Sequence, residues 1–211
     1  MNTYACGAAW PLCLAFAVLA SPLGAQTPGD STARDNGQGT YAGPSFGVVI
    51  ADVSGEPFYS STLKLSGGVQ LDVVREKVLI RTGAFYTGRG GRSNTGTRDE
   101  QFLEVPLLFG YRFPDDRRTR VFVMAGAQVG FQTACTLNGP DATADCRHEG
   151  HDVDYGVLAG GGVFLPLGKA HLVLDLRAMQ GLREFGFHEG KNRGITIGVA
   201  YMGLLGGIAD R

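Results

Sequence analysis

The chain has 211 residues, of which 44% are hydrophobic and 18% charged, and its formal net charge is −1. This composition excludes a disordered protein, because disordered chains combine low hydrophobicity with high net charge. The near-neutral charge also excludes a basic nucleic-acid-binding domain, so no nucleic-acid partner is expected.

The first 25 residues are predicted to form a signal peptide. Their apolar run, Leu12 to Ala20, is too short for a membrane-spanning helix, which needs roughly 20 residues. Small residues follow in Ser21-Pro-Leu-Gly-Ala25, ahead of a cleavage point before Gln26. An uncleaved anchor is the alternative, because residues 1–25 contain no Lys or Arg. After the signal, the breaker-rich segment 26–43 predicts a flexible periplasmic leader.

From residue 44 to residue 205 the sequence predicts a β-barrel, followed by a short tail at 206–211. Apolar and polar side chains alternate there with the period of a β-strand. Eight strands are predicted at about 45–52, 62–74, 77–88, 101–113, 119–133, 152–166, 170–182 and 192–204. The links after the second, fourth and sixth strands are short, and the other links are longer. This alternation is typical of transmembrane barrels with short periplasmic turns and long external loops, and it predicts that both termini are periplasmic.

The clearest strand, Phe102 to Phe113, has one apolar face and one polar face. Its apolar face comprises Leu103, Val105, Leu107, Phe109, Tyr111 and Phe113. A strand of this kind predicts hydrocarbon on one side and a polar interior on the other. Because every backbone amide in hydrocarbon must be paired within the protein, the strands must close into a cylinder. The predicted fold is all-β, an eight-stranded antiparallel up-and-down transmembrane β-barrel of a bacterial outer membrane.

Aromatic residues near the predicted strand ends indicate two interfacial girdles. The girdle residues are Tyr86, Phe131 and Tyr155 towards the loops, and Phe46, Tyr111, Phe113 and Tyr201 towards the turns. Pro106 is unusual within a strand because it cannot donate to the backbone ladder, so a bulge or local break is expected there.

One motif resembles a known family. The run Phe102-Leu-Glu-Val-Pro-Leu-Leu108, with its Gly-Tyr-Arg-Phe ending and Pro-Asp turn, resembles the central strand of the PorT-like outer-membrane β-barrel family. The architecture is similar to that of the eight-stranded OmpX and OmpA transmembrane barrels. The last strand, around Asn192 to Tyr201, also resembles the sorting signal of outer-membrane proteins. The resemblance implies an outer-membrane location, and it implies an activity far less directly.

Cys135 and Cys146 are predicted to form a disulfide. Cys6 and Cys13 would leave with the signal, which leaves this even pair in an oxidising compartment. His148 and His151 lie nearby, so zinc is an alternative, but the cysteines lack the usual spacing of a zinc site. The disulfide is favoured, and no metal site or cofactor is predicted.

Nine charged residues are predicted to face the barrel interior. They are Lys64, Asp72, Arg81, Glu104, Arg112, Arg120, Asp154, Asp175 and Arg177. They could line an ion-selective pore or form a salt-bridged plug. The plug is favoured because side chains can fill an eight-stranded barrel. Glu104 is the expected centre of the plug, with Arg81 on one side and Arg120 or Gln128 on the other.

Two further sets of residues are candidates for binding or catalysis. Arg89, Arg92 and Arg98 in the second outer loop could bind lipopolysaccharide phosphates by bidentate hydrogen bonds, or could belong to a solvated basic loop. Ser66 and His171 would be the candidates for a lipid A-modifying enzyme. A lone strand histidine is more often an interfacial residue, so no catalytic residue is predicted.

The expected function is a structural or adhesive role, with binding through the outer loops. The alternatives are a narrow passive channel, a soluble lipocalin-like binding barrel with its apolar faces inward, and the lipid A-modifying enzyme. The expected partners are outer-membrane lipid, including lipopolysaccharide, and the barrel-assembly machinery during insertion. A monomer is expected.

Overall fold

The computed structural model describes residues 38–54, 60–93, 96–113, 119–139, 142–146, 152–168, 170–185 and 190–206. The predicted signal peptide, most of the predicted leader and all but the first residue of the tail lie outside these ranges. None of the described segments forms a helix long and apolar enough to cross a membrane.

The described residues form nine strands, of which eight close into an antiparallel barrel. The strands are β1 (Gly39–Ser54), β2 (Thr62–Arg75), β3 (Val78–Ser93), β4 (Gly96–Arg112), β5 (Arg120–Asn138), β6 (Thr143–Asp145), β7 (Val153–Leu167), β8 (Ala170–Phe185) and β9 (Gly190–Gly206). Each barrel strand pairs with its neighbour along the chain, β5 pairs with β7, and β1 closes the cylinder against β9. The predicted eight-stranded barrel is confirmed. The sequence did not predict β6, a three-residue strand paired with the end of β5.

The first strand begins earlier than the sequence predicted. The low apolar content and the many breakers of segment 26–43 predict that Gly39 to Gly43 belong to the leader. In the structure Thr40 to Ala42 pair on both sides, for example Ala42 with Leu71 of β2 and with Gly203 of β9, while Gly39 and Gly43 pair with β2. Pairing with both neighbours overrides the weak local preference of this segment for a strand.

The apolar faces of the strands point outward. Along β4, the outward side chains range from 38% exposed at Val105 to 57% exposed at Phe109. All seven predicted girdle aromatics are likewise exposed. A soluble barrel would bury these faces inside, so the lipocalin-like alternative is wrong.

Pro106 causes a local break in the ladder between β3 and β4. Pairs form at Thr82–Leu107 and again at Phe85–Glu104 in the same register, with no pair between them. The Thr82 hydroxyl donates to the carbonyl of Pro106 at 2.8 Å. The expected irregularity is therefore an interruption without a change of register.

On one side of the barrel, β3, β4 and β5 continue past the last pair between β5 and β7. The end of the barrel with the short β2–β3 and β7–β8 links is called the turn end, and the opposite end is the loop end. At the loop end, residues 88–93 of β3, 96–101 of β4 and 132–138 of β5 form, with β6, a four-stranded part of the sheet called the projecting sheet. Its residues Arg89 and Glu100 are buried on the side of the lumen, and Arg92 pairs with Ser60 ahead of β2. At about 3.3 Å of rise per residue, the β5 segment extends about 20 Å along the strand direction. The predicted second outer loop is therefore mostly an ordered hairpin.

Most buried side chains in the turn-end half of the lumen are apolar. Its buried side chains are Tyr41, Val74, Leu79, Leu108, Phe122, Met124, Phe164, Val173, Ala200 and Met202, with Leu158 nearer the loop end. Close backbone approach helps to fill this apolar core, because a Cβ on Gly126 would lie 2.1 Å from the carbonyl oxygen of Leu107. The sequence predicts a polar interior, and the structure corrects this, because only part of the interior is polar.

Candidate functional site

The central layer of the lumen is a cluster of two buried aspartates and two buried arginines. Arg81 donates from Nε and Nη2 to the two oxygens of Asp72, at 2.8 Å each, and from Nη1 to Asp175 at 2.7 Å. Arg177 donates from Nε to the other oxygen of Asp175 at 3.1 Å. These four residues are called the central ion cluster. Its formal charge is zero, which offsets the cost of burying each ion.

Aromatic rings and an amide support the central ion cluster. The guanidinium of Arg81 lies 4.9 Å from the ring centre of Phe122, and that of Arg177 lies 5.3 Å from the ring centre of Phe85. Gln70 donates to both oxygens of Asp72 at 3.2 and 3.3 Å. Cation–π contacts of this kind gain strength when they are desolvated.

A second group of charges lies nearer the loop end. Arg89 forms an ion pair with Glu104 and donates from Nη1 to Asp154 at 2.7 Å. Arg98 donates from Nε to Glu100 at 2.7 Å. These five residues are called the loop-side cluster. Beside them, Lys64 of β2 forms an ion pair with Asp99 of β4.

The structure corrects the predicted centre of the plug. Glu104 pairs with Arg89, and Arg81 pairs instead with Asp72 and Asp175. The predicted partner Arg81 lies directly opposite Leu108 on β4, four positions from Glu104. The charges therefore divide into two clusters at different heights.

Two of the predicted interior cations lie at the turn end, away from both clusters. Arg112 is buried and donates from Nη2 to the carbonyl of Glu76 at 2.5 Å. Arg120 and Arg112 line a 10 Å³ cavity with His171. His171 is buried, with its ring 4.6 Å from that of Tyr41, so the expected interfacial position of this histidine is wrong.

The three arginines of the second outer loop that could bind lipopolysaccharide are not all at the surface. Arg89 is buried in the loop-side cluster, and Arg98 is held by Glu100 with little exposure. Only Arg92 of the three is exposed. Arg89 and Arg98 therefore serve the interior of the barrel, and the interpretation of these two as surface phosphate ligands is wrong.

The predicted disulfide is present. Cys135 of β5 and Cys146, which follows β6, are bonded, with their Cα atoms 5.1 Å apart. Both residues are buried, and Cys135 Sγ lies 4.0 Å from Glu100 Oε1. The bond therefore fixes the β5–β6 hairpin above the loop-side cluster. Its formation excludes these sulfurs from the zinc alternative, and His148 and His151 lie outside the described residues.

The enzyme candidates do not form a catalytic arrangement in the described chain. Ser66 is buried in the lumen, with its hydroxyl 2.9 Å from that of Thr87. His171 lies at the turn end against Tyr41 and Phe164. No contact joins Ser66 to His171 there, and no group of three or more His, Cys, Asp or Glu residues is arranged to hold a metal ion in the described ranges.

Sequence reasoning missed Arg89 and Glu100 as interior residues. The predicted third strand ends at about residue 88 and the fourth begins at about 101, which puts Arg89 and Glu100 in the second outer loop. The alternation of β3 could have identified Arg89 as an interior residue, because Arg89 and Arg81 are an even number of positions apart and therefore face the same side. Glu100 likewise precedes Phe102 and Glu104 at the inward positions of β4.

The filled lumen leaves little free volume. A cavity of about 30 Å³ lies between the two ion clusters, lined in part by Phe85, Arg89, Glu104 and Arg177. This volume holds one or two water molecules, since about 10–15 Å³ suffices for one. Below it, the apolar core fills the turn-end half.

Comparison with known proteins identifies the domain. The family model described as "Outer membrane protein beta-barrel domain" matches residues 25–185. No curated protein matches the sequence.

Solved structures resemble the fold at low sequence identity. The crystal structure of neisserial surface protein A has a TM-score of 0.52 at 12% identity, covering 77% of this chain and 96% of that chain. Ail, the attachment invasion locus protein of Yersinia pestis, has a TM-score of 0.47 at 12% identity, covering 78% of this chain and 99% of that chain. AlkL, solved by solid-state NMR in lipid bilayers, has a TM-score of 0.41 at 13% identity, covering 89% of this chain and all of that chain.

Proposed function

The chain belongs to the family of outer membrane protein β-barrel domains, and from this premise we propose that it is a closed-lumen barrel acting as a binding or adhesion surface. The family locates the protein in the bacterial outer membrane. The binding surface is the projecting sheet, which faces the cell exterior, and both chain ends lie in the periplasm. The protein is a monomer without catalytic activity, it contacts outer-membrane lipid, including lipopolysaccharide, and the barrel-assembly machinery inserts it. It belongs to the PorT-like group within the family, as the motif around Pro106 indicates.

The single observation that carries this proposal is the order of the projecting sheet. Backbone pairing continues from the barrel to Ser93–Gly96 between β3 and β4, and to Thr97–Asn138 between β4 and β5. The disulfide ties β6 to the same unit. An ordered surface loses less conformational entropy on binding than a flexible loop does. An ordered sheet of this kind outside the hydrocarbon is suited to the recognition of another molecule.

The closed lumen argues against the alternative of a passive channel. Ions would have to cross the central ion cluster and then the apolar core, and the polar side chains at the turn end, Arg112, Arg120 and His171, border a cavity of only about 10 Å³. The interior instead contributes rigidity, because its ion pairs join several strands. The binding function therefore belongs to the outer surface of the barrel.

Cell adhesion tests the proposal directly. The full chain is expressed in a bacterial host that lacks adhesins, and attachment is measured to a panel of purified extracellular-matrix proteins and immobilised glycans. Displaying cells should bind at least one component several times more than vector controls, and Arg92→Glu on the projecting sheet should reduce that binding. Arg75→Glu, an exposed arginine at the turn end, is the matched control and should leave binding unchanged.

Two outcomes would contradict the proposal. Attachment equal to that of vector controls across the whole panel, with the protein folded and surface-displayed, would remove the adhesive function. Equal losses from Arg92→Glu and Arg75→Glu would show that binding does not use the projecting sheet.

A further inference from the structure

In the loop-end half of the lumen, three buried oxygens of the described residues receive no hydrogen bond and form no ion pair. They are Gln132 Oε1 on β5, Asp154 Oδ1 on β7 and Asn192 Oδ1 on β9. Asn192 is only 2% exposed and Asp154 only 7%. A buried acceptor without a donor is costly, so each such oxygen requires an explanation.

These oxygens belong to one connected group of side chains around Glu100. Asn192 Nδ2 donates to Glu100 Oε2 at 3.4 Å and to Asp154 Oδ2 at 3.5 Å, while Gln132 Nε2 donates to Glu100 Oε1 at 3.3 Å. The carboxylates fix both amide orientations, because a reversed amide would place its carbonyl oxygen against a negative charge. The carbonyl oxygens of the two amides are therefore the atoms left unmatched.

The same group carries one negative charge too many. Glu100, Glu104 and Asp154 supply three negative charges, and Arg89 and Arg98 supply two positive charges. Lys64 and Asp99 neutralise each other beside the group. Arg183 of β8 is half-buried and donates from Nη1 to the carbonyl of Val153 at 2.7 Å, and no ion pair joins it to these carboxylates in the described chain. The group of side chains around Glu100 therefore has both an excess negative charge and three oxygen acceptors without a donor.

We propose that this group binds one monovalent metal cation, such as Na⁺, through Gln132 Oε1, Asp154 Oδ1 and Asn192 Oδ1. Carboxylate and amide oxygens are suitable ligands for hard cations. A single positive charge balances the group, whereas a divalent ion would leave a net positive charge in an enclosed interior. This site goes beyond the adhesive function and does not depend on it.

Sodium-dependent stability of the full protein is the primary test. The folded barrel is heated in detergent, and the midpoint temperature of its conversion to the unfolded gel mobility is measured. NaCl is compared with tetramethylammonium chloride at equal ionic strength, because the organic cation is too large for the site. The midpoint should be several degrees higher in NaCl and should saturate with Na⁺ concentration. Equal midpoints in the two salts would overturn the proposal.

Variants separate site binding from general salt effects. Asp154→Asn removes the excess charge at nearly constant size, and it should abolish the sodium dependence. Gln132→Leu removes one ligand from a half-buried position and serves if Asp154→Asn does not fold. Asp52→Asn breaks the outer-surface pair with Arg193 and should retain the full sodium effect. Sodium dependence that persists in either folded site variant would refute the site, and stabilisation by CaCl₂ but not by NaCl would refute the monovalent assignment.

Discussion

Arg81 on β3 and Asp175 on β8 are bonded across the lumen at 2.7 Å, although 94 positions separate them in the chain. These strands are not neighbours in the barrel, because β2, β1 and β9 lie between them. The same guanidinium holds Asp72 on the adjacent β2. One fully buried arginine therefore connects both sides of the cylinder, and its removal should lower the stability of the whole barrel.

The central ion cluster gives the first prediction. Asp72→Ala should destabilise the barrel by about 3–5 kcal/mol, because it leaves the buried Arg81 with one carboxylate instead of two. Urea titration of folded protein, followed by gel mobility, measures the change. Asp52→Ala is the control, since the Arg193 side chain with which Asp52 pairs is 53% exposed, and it should cost less than about 1 kcal/mol. A similar decrease in the free energy of unfolding in both variants would show that the central ion cluster stabilises the barrel no more than a surface ion pair does.

The outward apolar face gives the second prediction. Leu107→Arg places a charge midway along the outward face of β4, so it should cost about 2–4 kcal/mol in a lipid bilayer. Leu167→Arg lies at the end of β7, where the interface lowers the cost to about 0–1 kcal/mol. Refolding into vesicles of defined thickness compares the two variants. Equal costs would contradict the placement of Leu107 in hydrocarbon.

Closure of the barrel gives the third prediction. Unboiled protein should migrate differently from boiled protein on a denaturing gel, because a closed ladder has no free edge from which to unfold. Circular dichroism of the unboiled sample provides the control for strand content. Identical migration together with extraction into detergent-free buffer would contradict a membrane barrel.

The lumen gives the fourth prediction. The unmodified protein should show no steady conductance in planar bilayers, because the apolar core and the central ion cluster leave no continuous water path in the described residues. A conducting porin reconstituted in the same way is the positive control. A large and steady conductance would favour the channel over the closed barrel.

The disulfide gives the fifth prediction. Non-reduced digests of protein from the native envelope should contain one linked peptide pair, joining Cys135 to Cys146. The bond closes a short loop, so its removal in Cys135→Ser/Cys146→Ser should cost at most about 3 kcal/mol in the chain-entropy model. Its larger effect should be faster proteolysis of the β5–β6 hairpin. Two alkylated free thiols in native protein would contradict the assignment.

Much of the barrel could be predicted because the pattern that specifies it is local. Alternation along β4 identifies Leu103, Leu107 and Phe109 as outward residues without knowledge of any neighbour. The same parity places Asp72, Arg81 and Asp175 inside. The number of barrel strands follows from the links between the alternating runs.

Strand ends and short elements were predicted less well. The predicted boundaries left residues 89–93 and 39–43 outside the strands, yet these segments are paired strand. Pairing with neighbours in a closed sheet stabilises residues whose own preference is weak. β6 could not be predicted because its three residues depend on pairing with β5.

The sequence by itself determined the strand count, the inward and outward faces and the availability of one cysteine pair, because each follows from local order or composition. Only the tertiary structure decided which charges meet. Arg81 meets Asp175 rather than Glu104, and Arg89 joins Glu104 to Asp154. The physical reason is that residues facing each other across a barrel come from strands far apart in the chain, and the stagger between those strands sets their heights.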